Sequence, residues 1–464
     1  MIFRPFLPIL AAVVFMGISA PLSAQEELFD EQQEAQPSRG ASWLEGDYAL
    51  GDFGGYRAEL EDRGVSFFGG YAVEVWGNTT GGLKRGTVYT GLLDFGVDLD
   101  LEKLVGWKGA TFHSSWQWLS GRDASEDLVG NIFTISNIAG FDTLRAFDLW
   151  FEQAFFDDFF SIRVGQLAAD DEFIISDTAG LFLNSTFGWP ALASEALPNG
   201  GPASPMATLG IRLAIHPTEW FSFLSGAFQG NPFEENVNRQ GFRWRLDEKN
   251  GFTFINEAQF RWDDAPLPGT VKAGGFANTG FFERSNGSGD EVWGNFGFYG
   301  VIDQALYREP GVAVAAPFIR KNGKSTVAPD GKTAKSFKEP IIETKPSNQG
   351  LNAFVRAGFT PQDRNFLSFY LDTGLAYTGL IPARDDDVFG VALGYADVSS
   401  GAAQGLFDEG SRQVGYEIVI EAAYAAQITP WLTIQPDVQY IIRPGASGDL
   451  GNAFVLGGQA SVVF

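Results

Sequence analysis

Cysteine is absent from the 464-residue chain. That excludes disulfides, a thiol nucleophile and any cysteine-ligated metal. Histidine is nearly absent too, with His113 and His216 the only two, and neither stands at a fixed spacing from partners that would make a metal or nucleophile motif. His113 shares a strand face with Thr111, Ser115 and Gln117, and His216 precedes Pro217 at a turn, so both read as wetted structural residues. Basic charge is scarce, 32 Lys and Arg against 57 Asp and Glu, and the net charge of -25 argues against nucleic acid or anionic lipid as a partner. Nothing in the residues implies a cofactor. Long apolar runs are also missing after the N-terminus. Mean hydropathy is only -0.04, whereas each spanning helix needs ~20 nearly continuous apolar residues.

What is present is alternation. In 416–424 one parity carries Tyr416, Ile418, Ile420, Ala422 and Tyr424, and the other carries Glu417, Val419, Glu421 and Ala423. The pattern resumes in 432–443, with Pro436 on the apolar parity predicting a bulge or bend. A period of two marks β-strands with one apolar and one polar face. Their length of roughly ten residues, with aromatics near the ends, suits a tilted membrane crossing better than a soluble strand of ~5–6. A barrel alternates, so its average composition looks soluble. Strand starts fall near Val65, Val88, Gly109, Arg145, Phe159, Ala207, Trp220, Gly251, Thr270, Val292, Leu351, Phe366, Val388, Gly415, Trp431 and Ala453. The fold expected is all-β, a transmembrane antiparallel up-and-down barrel of about 16 strands over residues 65–464. Parity makes 101–108, 157–158, 216–219, 263–269 and 429–430 periplasmic turns, and puts the long loops 121–144 and 169–206 outside.

Residues 1–24 read as a secretory signal, with Arg4, an apolar core from Phe6 to Ile18 and a small-residue end at Ala24. Residues 25–64 read as an acidic periplasmic leader with a short helix that Asp52 caps and Gly64 ends. The stretch 46–65, the run Leu183-Asn184-Ser185-Thr186-Phe187-Gly188-Trp189-Pro190 with 197–202, Tyr307–Gly311, Asp363-Arg364-Asn365, 379–387 and the closing fifty residues resemble, in that order, the carbohydrate-selective porin family, the OprB-like porins. The resemblance implies a passive outer-membrane channel for small sugars, narrowed by an inward-folded loop. Phe464, ending the last strand, resembles the signal read by the outer-membrane assembly machinery. Outer-membrane lipid would surround the barrel. The resemblance also implies that 309–311 and 350–352 lie close together, so the basic stretch 312–345 reads as an insertion. Either it is a tolerated periplasmic excursion or the strand count slips there.

Polar-parity residues predict the lumen. Glu74, Asp94, Asp98, Asp148, Glu152, Arg163, Glu257, Arg261, Arg356, Asp372, Glu417 and Glu421 point inward, since an Arg or Lys facing lipid would cost ~2–4 kcal/mol near the midplane. Trp76, Trp150 and Tyr370 share that parity and are candidate stacking platforms for sugar rings, or mere filling. Loop 169–206 carries Phe173, Ile174, Leu183, Phe187 and Trp189, which are costly in water. Folded into the barrel, it would leave Asp170, Asp171, Glu172, Asp177 and Asn184 beside the channel. Two readings stay open, a sugar-selective porin and a general diffusion porin with mild cation preference. A barrel enzyme would need a Ser-His or Asp-His cluster in its outer loops, which two histidines so placed do not supply.

Overall fold

Alternating strands joined by short turns pair most simply with their chain neighbours, and closing the last on the first leaves no exposed edge. The computed structural model describes residues 43–464 except 247, 264, 311, 316–341, 346–347, 409 and 411–414. The expected signal and the leader up to residue 42 lie outside the described residues. The strands are β1 (Val65–Thr80), β2 (Gly86–Asp100), β3 (Ala110–Gly121), β4 (Thr143–Phe155), β5 (Phe160–Leu167), β6 (Thr208–Thr218), β7 (Phe221–Gln229), β8 (Phe252–Arg261), β9 (Gly269–Glu283) and β10 (Glu291–Arg308). They continue as β11 (Val312–Ala315), β12 (Ile342–Lys345), β13 (Gly350–Phe359), β14 (Leu367–Thr378), β15 (Val388–Val398), β16 (Tyr416–Thr429), β17 (Leu432–Ile442) and β18 (Ala453–Val463). All but β11 and β12 form one closed antiparallel barrel in chain order, with β18 pairing β1. Each barrel strand starts within two residues of its expected position.

Burial follows the parity. On β1, Glu74 and Trp76 are fully buried while Val75 between them is 52% exposed. Large apolar side chains such as Tyr89, Trp118, Phe298 and Leu375 stand exposed on the opposite parity, as a lipid-facing wall requires.

The insertion leaves the barrel register undisturbed. Arg308 at the end of β10 pairs with Gly350 at the start of β13, so the chain departs and returns at one point. It departs at the barrel end where β1 begins, and β11 pairs β12 as a separate two-stranded sheet at its base. The strand count therefore does not slip; residues 316–341 lie outside the described residues.

Three local expectations change. Pro436 produces no register shift: β17 runs unbroken past it against β18, where Gly458 stands opposite because any side chain there would meet the Gln435 carbonyl. Its missing N–H coincides only with a lapse in pairing to β16. Asp52 does not cap the helix α1 (Tyr56–Asp62), whose N-cap is Gly55; the Asp52 carboxylate accepts the Gly54 N–H at 2.9 Å instead. The turn at His216 is shorter than expected, since β6 extends through Thr218. Beside α1, Arg57 donates to the carbonyls of Phe464 and Phe67 at 2.9 and 3.2 Å, tying the N-terminal segment across the β1–β18 seam.

Candidate functional site

Eight of the predicted lumen residues meet protein, not water. Glu74, Trp76, Glu257, Arg356, Tyr370, Asp372, Glu417 and Glu421 are each 1% exposed or less. They fasten loops to the wall. From β8, Glu257 accepts the Ile174 N–H at 2.9 Å and the Tyr299 hydroxyl at 2.9 Å. From β16, Glu421 accepts the N–H groups of Leu183 and Asn184 at 2.6 and 3.1 Å, and Glu417 accepts those of Ile132 and Phe133. Arg356 on β13 donates to the carbonyls of Ile174, Thr186, Phe187 and Gly188 at 2.8–3.0 Å while pairing with Asp372 at 2.5 Å. Tyr370 bonds Thr186 and Asp372, and Trp76 donates to Glu74 at 2.6 Å. These charges are buried but partnered, the arrangement that a dry site demands.

The apolar side of loop 168–207 completes the attachment. Phe182, Leu183, Phe187 and Leu192 pack with Phe354, Ala392, Val419 and Val455, while Phe173, Ile174 and Leu197 pack with Leu224, Phe228, Ile255 and Val301. Ile174 is held at φ 65°, an uncommon region for a β-branched residue, with its N–H on Glu257 and its carbonyl on Arg356. Asn184, expected beside the channel, is fully buried and donates to Phe133 O and Gln439 Oε1, both at 2.9 Å.

The wall from β2 to β6 is different. Register places Glu152, Arg163 and Arg212 side by side on β4, β5 and β6. Glu152 takes Arg163 at 2.8 Å and Arg212 at 2.9 Å, and Glu172 from the loop takes Arg212 at 2.7 Å and approaches Arg163 at 3.6 Å. Arg163, Glu152 and Glu172 keep 17%, 18% and 23% of their side-chain surface exposed. One row further along the strands stand Asp98, His113 and Trp150, and beyond them Asp148 and Asp94. The loop sets Asp170 and Asp171 here, with Asp171 in hydrogen-bonding reach of Asp148. Asp170 accepts the Ser204 N–H at 2.9 Å. Although part of its surface is accessible, Asp170 lies deep among protein atoms, and that burial, reinforced by the charge of Asp171, pushes its carboxyl up to about 7. Asp177 is exposed, and Arg261 ends β8 half-buried at the far rim.

The expected aromatic platforms offer no free face. Trp76 and Tyr370 are buried. Trp150 lies between His113, stacked at 4.8 Å and 12°, and Arg163, whose guanidinium sits 3.9 Å from its ring centre. Hydrogen-bonding groups, not ring faces, are what this wall presents. Arg212 escaped the sequence reading although it stands between outward Ile211 and Leu213, the same parity signal that marked its neighbours.

A closed antiparallel barrel with a hydrophobic exterior, a polar inner wall and long loops fastened from one end is the architecture of a bacterial outer-membrane porin, and the family match makes the chain a channel and not an enzyme. The chain belongs to the family described as carbohydrate-selective porin, OprB family, which matches residues 84–334 and 339–464. It is 25% identical over 441 residues to Porin B of Pseudomonas aeruginosa, covering 90% of this chain and 91% of that one. The fold is similar to the high-pH structure of Pseudomonas putida OprB, with a TM-score of 0.75 and 22% identity over 91% of this chain and all of that one. Salmonella typhi OmpF shares the barrel at a TM-score of 0.50 and 10% identity, covering 87% of this chain and 99% of that one.

Proposed function

We propose that small sugars cross the outer membrane along the inner wall of β2–β6, past Glu152, Arg163, Glu172 and Arg212, and that loop 168–207 is the constriction. One contrast supports this reading: Glu257, Arg356, Asp372, Glu417 and Glu421 are sealed beneath packed loops, whereas Glu152 on β4, Arg163 on β5 and Glu172 of the loop keep accessible surface around a buried Arg212. Sugars are neutral and rich in hydroxyls, and each hydroxyl both donates and accepts. Guanidinium forks beside carboxylates answer both needs within one ring of groups. Because Trp150 is already sandwiched, its part is to back Arg163 rather than to stack on sugar. Lipid would cover the outward apolar parity, and Phe464 would serve assembly. The test is planar-bilayer current titrated with glucose. Arg163→Gln should weaken the sugar block by about tenfold, the worth of one charge-assisted hydrogen bond of ~1.4 kcal/mol. An unchanged block constant in a folded barrel would move the filter elsewhere.

A second reading has its own observation. Asp94, Asp148, Asp170 and Asp171 gather on the same wall, and those of them that ionise favour cations over anions. Cation-selective reversal potentials without any sugar block would support general diffusion instead.

A further inference from the structure

Four planar groups from four strands form a continuous stack on the inner wall. Phe68 of β1 lies parallel to His113 of β3, with ring centres 5.1 Å apart at 12°. His113 lies parallel to Trp150 of β4 at 4.8 Å and 12°, and Arg163 of β5 covers the other side of Trp150 at 3.9 Å. Phe68 is 5% exposed and His113 is 7% exposed, so the root of the stack is fixed in protein while its tip reaches the accessible cluster. His113 is further held edge-on, with Nδ1 2.6 Å from the Asp98 carboxylate of β2. The Arg163 end is gripped by Glu152, which accepts from Nε and Nη2 at 3.0 and 2.8 Å.

An arginine side chain has many rotamers, and ordering one at the moment of binding weakens affinity. A guanidinium pressed on a fixed indole has lost that freedom beforehand. Trp150 can serve as that surface only if its own plane is fixed, and the neighbour that fixes it is His113. We propose that His113 is a positioning residue for the sugar filter, setting the plane of Trp150 and through it the orientation of the Arg163 guanidinium. The inference rests on the reading that sugars pass Arg163. Thr111, Ser115 and Gln117 share the β3 face with His113 but enter no such stack.

The experiment compares His113→Ala, His113→Phe, Trp150→Leu and Arg163→Gln in the full-length, heat-modifiable barrel, reading glucose block and sugar-free unitary conductance separately. Removing the stack by His113→Ala should weaken block by about three- to tenfold, the range expected for one stacking contact, with sugar-free conductance little changed. His113→Phe keeps a flat ring without the Asp98 contact and should restore block to within about twofold of the native value. Trp150→Leu gives the same loosening and stands in should His113→Ala not fold. Native block in a folded His113→Ala barrel, or equal loss in His113→Phe and His113→Ala, overturns the positioning role. If Arg163→Gln itself leaves block intact, the filter reading falls, whereas loss in Arg163→Gln with none in His113→Ala removes this inference alone.

Discussion

Arg356 shows how one residue decides between wall and loop. Its guanidinium satisfies four loop carbonyls and Asp372 from within a dry site. Arg356→Met would strip those carbonyls of their donor and leave Asp372 alone, a loss of about 3–5 kcal/mol for a buried pair. The heat-modifiable gel transition should fall in temperature, and channels that still fold should conduct more and show weaker sugar block. Asp170 gives a residue-scale pH dependence. With its carboxyl pushed up to about 7, it carries its charge above that value and loses it below. Cation preference should therefore rise between pH 5 and pH 8, read as reversal potential in a salt gradient, and Asp170→Asn should flatten the rise. An equal slope in both proteins would remove Asp170 from the ion path. Parity alone identified Glu257, Arg356 and Glu421 as inward. It could not tell that loop backbone, rather than water, would meet them, because that depends on contacts 168 to 182 residues apart for Arg356 and 237 or 238 apart for Glu421.

At the scale of elements, strands were legible because a two-residue period is a local property of the chain and shifts of one residue would turn charge to lipid. The long loop was legible only as a contradiction, too apolar for water and too long for a hairpin. Its resolution, Phe182 and Phe187 packed on Phe354 and Phe173 on Phe228, required the barrel to exist first. Replacing residues 173–197 by a short Gly-Ser linker should leave the sixteen-strand sheet folded, since loop closure changes slowly with length. Unitary conductance should rise and sugar block should vanish. A folded variant that kept both native values would exclude this loop as the constriction. The choice between platform and filling that the sequence leaves open for Trp76, Trp150 and Tyr370 has the same origin: their faces are taken by neighbours supplied from another strand or from the loop.

For the whole molecule, the even strand number and the return of the chain at Arg308 and Gly350 make the barrel independent of what lies between. Deleting residues 316–341 should leave folded yield and conductance unchanged, and loss of barrel formation would show that the segment supports the wall. The central claim is that the cross-section is divided, with the passage on β2–β6 and packed loop against β13–β17. The lack of cysteine in the native chain makes this directly measurable. Single cysteines at Asp98 and Thr111 lie on the proposed passage, while cysteines at Ala392 and Ala423 are inward but buried beneath the loop. A charged, water-soluble methanethiosulfonate should react at Asp98→Cys and Thr111→Cys, reduce current, and react more slowly when glucose is present. It should leave Ala392→Cys and Ala423→Cys untouched. Rapid, glucose-protected modification at Ala392→Cys and Ala423→Cys, with none at Asp98→Cys and Thr111→Cys, would contradict the account.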